Sequence, residues 1–117
     1  MTDKPVKGEK RFFATGNEVV AWAALAAEAD IMYGYHYWTR LAPKYGRKFL
    51  QTEDEISAGF TTCGGVLSGA RSFTATAGPG NTLMQEAMSM AEMMSIPTVV
   101  AVMQRGGPST ATVIYSQ

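Results

Sequence analysis

Between Pro97 and the turn at Gly106-Gly107-Pro108 the chain runs Thr98-Val99-Val100-Ala101-Val102-Met103. A short apolar run without polar alternation, bounded by turn formers, reads as a buried strand of a parallel sheet. In an open α/β sheet, ligands sit just beyond the carboxyl ends of such strands. The segment Gln104-Arg105-Gly106-Gly107-Pro108-Ser109-Thr110 stands at that position. Arg105 is therefore a candidate to hold a carboxylate or phosphate by a bidentate contact. The competing reading is an arginine that caps a sheet end or pairs with a nearby acid.

The preceding chain alternates strand and helix signals with short links. Arg11 to Thr15 reads as a short strand or turn. Asn17 is a candidate cap for an alanine-rich helix running to about Ala29, with Glu18 in its first turn. Ile31 to Tyr35 reads as a strand. Tyr37 to Tyr45 gives one or two helical turns broken by Pro43, and Arg47 to Gln51 a further strand. Thr52 to Glu55 fits a capping box, which predicts a helix to about Ser68. Phe73 to Thr76 is a short strand entering the tight turn Ala77-Gly78-Pro79-Gly80. Asn81 is a candidate cap for the next helix, whose Met84, Met88, Ala91 and Met94 fall on one face. The expected fold class is α/β, a three-layer parallel sheet with helices on both faces.

With 117 residues, 46% of them hydrophobic, the chain suits one globular domain, with residues 1–10 a solvated lead-in and 11–117 the domain. Its formal net charge of +0 gives no reason to invoke nucleic acid or an anionic membrane. No apolar run is long enough to span a bilayer, and the charged start has no signal-peptide core. The single cysteine, Cys63, excludes an internal disulfide and fits a reducing cytoplasm.

Five segments taken together carry a resemblance. They are Gly16-Asn17-Glu18, Gly34-Tyr35, Gln51-Thr52-Glu53-Asp54-Glu55-Ile56, Thr74-Ala75-Thr76-Ala77-Gly78-Pro79-Gly80 and Gln104 to Thr110. In this order they resemble the N-terminal, pyrimidine-binding domain of the alpha subunit of 2-oxoacid:ferredoxin oxidoreductases. The resemblance runs from about Gly16 to Ser116. It implies a thiamine diphosphate-dependent oxidative decarboxylation of a 2-oxoacid to an acyl-CoA, with electrons passed to ferredoxin. It also implies partners: a diphosphate-binding beta subunit and other oxidoreductase subunits, with magnesium and iron–sulfur clusters held there. Residues 11–117 would then be part of a longer subunit. One departure stands out. The family pattern continues Gly-Tyr into a Pro-Ile-Thr-Pro loop, whereas here Gly34-Tyr35 runs into His36-Tyr37-Trp38.

Among three adjacent acids, Glu53, Asp54 and Glu55, the resemblance favours Glu55 as the carboxyl that hydrogen-bonds the aminopyrimidine ring, with Glu53 in reserve. A carboxyl sharing a proton with such a ring needs partial burial. Without the resemblance, Glu55 reads as the last member of a Thr52 capping box. The Ala77 to Gly80 turn lacks the lysine of a Walker loop and the spacing of a dinucleotide site. The resemblance makes it a backbone wall beside the cofactor, with Thr76 and Gly78 as contacts. It makes Arg105 the group that engages the substrate carboxylate. Gly59, Gly64 and Gly65 in one helix call for close approach of a cofactor ring or a partner helix, because helical glycine costs about 1 kcal/mol relative to alanine. The methionines read as core or interface, His36 as surface or interface, and Cys63 as a small buried residue. The alternative function is a truncated, non-catalytic pyrimidine-type module with a dimerisation or scaffold role.

Overall fold

The computed structural model describes residues 13–34 and 36–103. Helix α1 spans Gly16–Ala26, strand β1 Ile31–Tyr33, helix α2 Trp38–Leu41 and strand β2 Lys48–Leu50. A 3₁₀ turn, Ala42–Tyr45, joins the last two. Helix α3 follows at Glu55–Leu67, strand β3 at Ser72–Ala77, helices α4 and α5 at Pro79–Leu83 and Gln85–Met93, and strand β4 at Val99–Met103.

Among the described residues four strands form a parallel sheet in the order β2-β1-β3-β4. The chain steps one way from β1 to β2 and the other way from β2 to β3 and β4. Right-handed crossovers then place the connecting helices on opposite faces. Alternation along β3 shows the two layers. Phe73 joins Met32, Trp38 and Ala21 in the core beneath α1 and α2. Ser72 and Thr76 face α3 and α4, where Gly65 and Gly80 lie against them, and Thr74 on the same face meets Gly34 at the end of β1.

Trp38 anchors the first layer. It is fully buried, meets Phe73 edge-to-face at 5.2 Å, and donates its Nε1 hydrogen to the Lys48 carbonyl at 2.8 Å. A tryptophan buried on this scale contributes strongly, provided its N–H finds a partner, as it does here. At the amino end, Asp30 ties three strands together. Its backbone N–H donates to the Arg71 carbonyl and its carbonyl accepts from Lys48 N. Its carboxylate accepts from Arg71 N at 2.9 Å and pairs with Arg47 at 3.3 Å.

Several local expectations change. Thr15, not Asn17, caps α1, in a reciprocal box with Glu18. Thr15 stands three residues before Glu18, so its hydroxyl reaches the amide that needs an acceptor. That helix stops at Ala26 rather than near Ala29, because Glu28 takes a left-handed φ of 58° while Ala29 N bonds Ala24 O. Asn81 lies inside α4 instead of capping a helix. Met94 turns outward, and Ala87 completes the buried face with Met84 and Ala91. β4 pairs with β3 as expected, yet Val99 and Val102 are 61% and 49% exposed, so it is not a buried strand among the described residues. Its one described partner lies on one edge, and both its faces are only partly covered. The lead-in 1–10, the loop after Met103 and the segment from Ala111 lie outside the described residues.

Candidate functional site

The sheet reverses direction between β1 and β3, and a crevice forms beyond the carboxyl ends of strands at such a switch point. β1 leaves through Gly34, whose φ of 110° is open only to glycine at low cost. Gly34 N–H donates to the Leu50 carbonyl, and Thr74 Oγ1 donates to the Tyr33 carbonyl at 2.8 Å. Together these fix the exit of β1 between its neighbours. β3 leaves through Gly78, at φ 52° and ψ −120°, and α4 begins at Pro79, where a missing N–H is no loss.

α3 starts at the same crevice. Asp54, not Thr52, is its cap: its carboxylate accepts from Ser57 N at 2.7 Å. That backbone hydrogen bond holds the Asp54 carboxyl below the usual carboxylate range. Thr52 instead donates its hydroxyl to the Asp54 carbonyl at 3.1 Å. Glu55 is thereby released from the box proposed for it and becomes the first residue of α3. It is partly buried, whereas Glu53 is exposed.

The Glu55 side chain runs against the backbone of α4. A Cβ placed on Gly80 would sit 2.7 Å from both Cγ and Oε1 of Glu55, and closer still to Thr76 Oγ1. Two side chains from two elements, Glu55 of α3 and Thr76 of β3, therefore converge where Gly80 of α4 has no side chain. Thr76 Oγ1 is fully buried and has no hydrogen-bond partner among the described residues. A buried hydroxyl left unpaired costs about 1–3 kcal/mol, so the fold alone does not account for it. A carboxyl group, a buried hydroxyl and bare glycine backbone thus lie side by side at the carboxyl end of β3. Of the sequence candidates, Glu55 and Thr76 meet at Gly80, and Gly78 stands two residues before it at the start of α4. The close approach at Gly80 was not read from the sequence, although Pro79-Gly80 before a helix is the signal that marks it. Arg105 lies outside the described residues, two positions past the end of β4.

The other candidates resolve differently. Gly59 packs on the Ala87 methyl and Gly65 on the Tyr33 ring and Ser72 hydroxyl, so helix and strand packing explains both. A Cβ added at Gly64 would meet nothing within 4 Å among the described residues. His36 is buried rather than on the surface, because the chain turns it inward ahead of Trp38, and desolvation lowers its pKa. Cys63 is buried, and burial pushes its thiol up, away from nucleophilic use. Among the described residues no group of three His, Cys, Asp or Glu side chains is placed to hold a metal, and no helix is long and apolar enough to cross a membrane. A cavity of about 680 Å³ lies at the opposite end of the strands between α1 and β4. Its walls are mostly apolar and hold no carboxylate.

Comparison with known proteins meets this geometry. Residues 26–117 match the family described as pyruvate flavodoxin/ferredoxin oxidoreductase, thiamine diphosphate-binding. The chain is 39% identical over 110 residues to the 2-oxoglutarate synthase subunit KorA of Methanothermobacter thermautotrophicus, covering 86% of this chain and 29% of the relative. It is 34% identical over 107 residues to the ketoisovalerate oxidoreductase subunit VorB of the same species, covering 84% of this chain and 30% of the relative. Among solved structures, the 2-oxoglutarate:ferredoxin oxidoreductase of Magnetococcus marinus, with 2-oxoglutarate, coenzyme A and succinyl-CoA bound, superposes with a TM-score of 0.73 at 36% identity, over 84% of this chain and 19% of that one. The chain thus spans less than a third of the length of these relatives. Fold, order of motifs and sequence agree: this chain belongs to the thiamine diphosphate-binding family of pyruvate flavodoxin/ferredoxin oxidoreductases.

Proposed function

We propose that this chain supplies the pyrimidine-binding half of a thiamine diphosphate site in a 2-oxoacid:ferredoxin oxidoreductase. The reaction is oxidative decarboxylation of a 2-oxoacid to an acyl-CoA, with electrons delivered to ferredoxin. The observation that carries this reading is the convergence of Glu55 and the unpartnered Thr76 hydroxyl on the bare backbone of Gly80. When bound, thiamine diphosphate supplies the nucleophilic carbon and electron sink that decarboxylation requires.

The chain's residues hold and orient. Glu55 offers a partly buried carboxyl to a ring nitrogen, where sharing a proton is favoured over solvation. Thr76 offers a buried hydroxyl for a polar edge of the ring, and the Gly78 turn offers a backbone wall. Arg105 is assigned to the substrate carboxylate, which a fixed two-pronged donor keeps anchored until carbon dioxide leaves.

The remaining parts come from other chains: a diphosphate-binding beta subunit with magnesium, and subunits bearing iron–sulfur clusters. A reducing cytoplasm suits this chemistry. A purely scaffolding role requires neither an acid nor an unpaired buried hydroxyl at the switch point. The test is co-expression with a diphosphate-binding subunit. The complex should reduce a viologen dye when given thiamine diphosphate, a 2-oxoacid and coenzyme A. A well-assembled complex with no such activity on pyruvate, 2-oxoglutarate or branched-chain oxoacids contradicts the reading.

A further inference from the structure

Thr15 to Glu18 and Thr52 to Glu55 share the pattern Thr-x-x-Glu ahead of a helix, yet they fold differently. At α1 the pattern closes. Thr15 caps the helix, and the Glu18 carboxylate turns back to accept from Thr15 N at 2.9 Å and from Thr15 Oγ1 at 3.1 Å. A glutamate held in such a box is occupied by its own helix end. At α3 the same pattern stays open. Asp54 supplies the cap instead, with extended backbone at φ −146° and ψ 177°, and its carboxylate accepts from Ser57 N at 2.7 Å.

The difference is a shift of frame from position 52 to position 54. With Thr52 as cap, Glu55 would be the third helical residue, the one whose side chain reaches back to the cap N–H. With Asp54 as cap, Ser57 takes the third place and Glu55 the first. Glu55 is then left to lie against Gly80. The Thr52 hydroxyl is turned to another use, donating to the Asp54 carbonyl at 3.1 Å. Asp54 wins this competition on elementary grounds. Aspartate is the stronger capping type, and its negative charge is favoured at the positive end of the helix dipole. The Ser57 hydrogen bond holds its carboxyl below the usual carboxylate range, so it stays charged at neutral pH.

We propose that Asp54 is a positioning residue for the acid that faces the cofactor: by capping α3 in place of Thr52, it keeps Glu55 out of a closed box and free for a ring nitrogen. This rests on the thiamine diphosphate reading above.

The test is viologen reduction by this chain assembled with a diphosphate-binding subunit, at saturating thiamine diphosphate, with kcat and substrate KM measured separately. Asp54→Ala lets the Thr52 frame take over and draws Glu55 into the box. Its kcat should fall about tenfold or more with KM unchanged, since a misplacement of about 1 Å costs up to about 100-fold. Asp54→Asn keeps a side-chain oxygen for Ser57 N and should hold kcat within about twofold of the parent. The double variant Thr52→Ala, Asp54→Ala removes the competing cap as well, and it should regain most of the lost kcat although α3 then has no side-chain cap at either position. A role in helix stability alone predicts the reverse order, with the double variant slowest. Position 54 is exposed, so Asp54→Gln, a good helix former and a poor cap, carries the test if the alanine variant assembles poorly. With Glu55→Gln inactive, parental kcat in Asp54→Ala, or a double variant slower than Asp54→Ala, overturns the proposal and leaves the thiamine diphosphate reading standing. Full activity in Glu55→Gln overturns that reading and the proposal with it.

Discussion

The Glu55 carboxyl and the Cα of Gly80 occupy adjoining space, so close that any side chain at position 80 would meet Glu55 Cγ and Oε1 at 2.7 Å. A Gly80→Ala variant must therefore move the acid or the helix start. Displacements of about 1 Å at a catalytic group lower rates by roughly 100-fold, and overpacking destabilises by about 1–3 kcal/mol. Gly80→Ala should lose thiamine diphosphate-dependent turnover in the assembled enzyme while keeping its far-ultraviolet circular dichroism. Full turnover in this variant would show that Glu55 and Gly80 are not coupled.

Thr76 sets stability against function. Its hydroxyl is buried and unpaired in the free chain, so Thr76→Val removes an unsatisfied group worth about 1–3 kcal/mol. Urea titration should show the valine variant as stable as the parent or more so. The same variant in the assembled enzyme should bind thiamine diphosphate more weakly, and Thr76→Ser should restore binding. A valine variant that is less stable yet binds normally would assign Thr76 to packing alone.

The helix glycines divide by what they touch. Gly59 lies against the Ala87 methyl, and an added Cβ would come within 2.7 Å of it. Gly64 has open space around it. Gly59→Ala should destabilise α3 against α5, whereas Gly64→Ala should stabilise the isolated chain by about 0.5–1 kcal/mol through helix propensity alone. Chemical denaturation of both variants measures the difference. The same sign for the two would contradict the packing described.

Burial holds His36 below its ordinary pKa, so the unfolded chain binds its proton more readily than the folded one. The contribution of the neutral ring is fully present above the unfolded value, near 6.5, and is lost as pH falls below it. Thermal melts from pH 8 to pH 5 should show a fall in midpoint below about pH 6.5, and His36→Phe should flatten it. An equal slope in the variant would assign the pH dependence to other groups.

The fold was legible because its signals are local. The apolar run after Pro97 places β4, the short Phe73 to Thr76 segment before the Gly78-Pro79-Gly80 turn places β3, and alternation with helix signals implies a parallel sheet. The caps were less legible, since Thr15 and Asn17, and Thr52 and Asp54, are all capping types, and the usual preference for Asn over Thr points away from Thr15. Only the geometry decides which oxygen reaches an amide. Glu55 could be singled out among three acids by resemblance, but its contact with Gly80 could not. That contact depends on α3 and α4 meeting across the end of β3, and no spacing along the chain encodes it. The burial of His36 was missed for a related reason: a lone histidine in sequence carries no sign of the turn into Trp38 that draws it inward.

The central claim is that Glu55 serves the cofactor. The most direct measurement is viologen reduction, with a 2-oxoacid and coenzyme A, by this chain assembled with a diphosphate-binding subunit. Parent, Glu55→Gln, Glu53→Gln and Arg105→Ala forms are compared. Glu55→Gln should fall by about 100-fold or more, as loss of a positioned proton-sharing group does. Glu53→Gln should stay near the parent, and Arg105→Ala should lose activity chiefly through weaker substrate binding. Full activity in Glu55→Gln, or a larger loss in Glu53→Gln, would contradict the account.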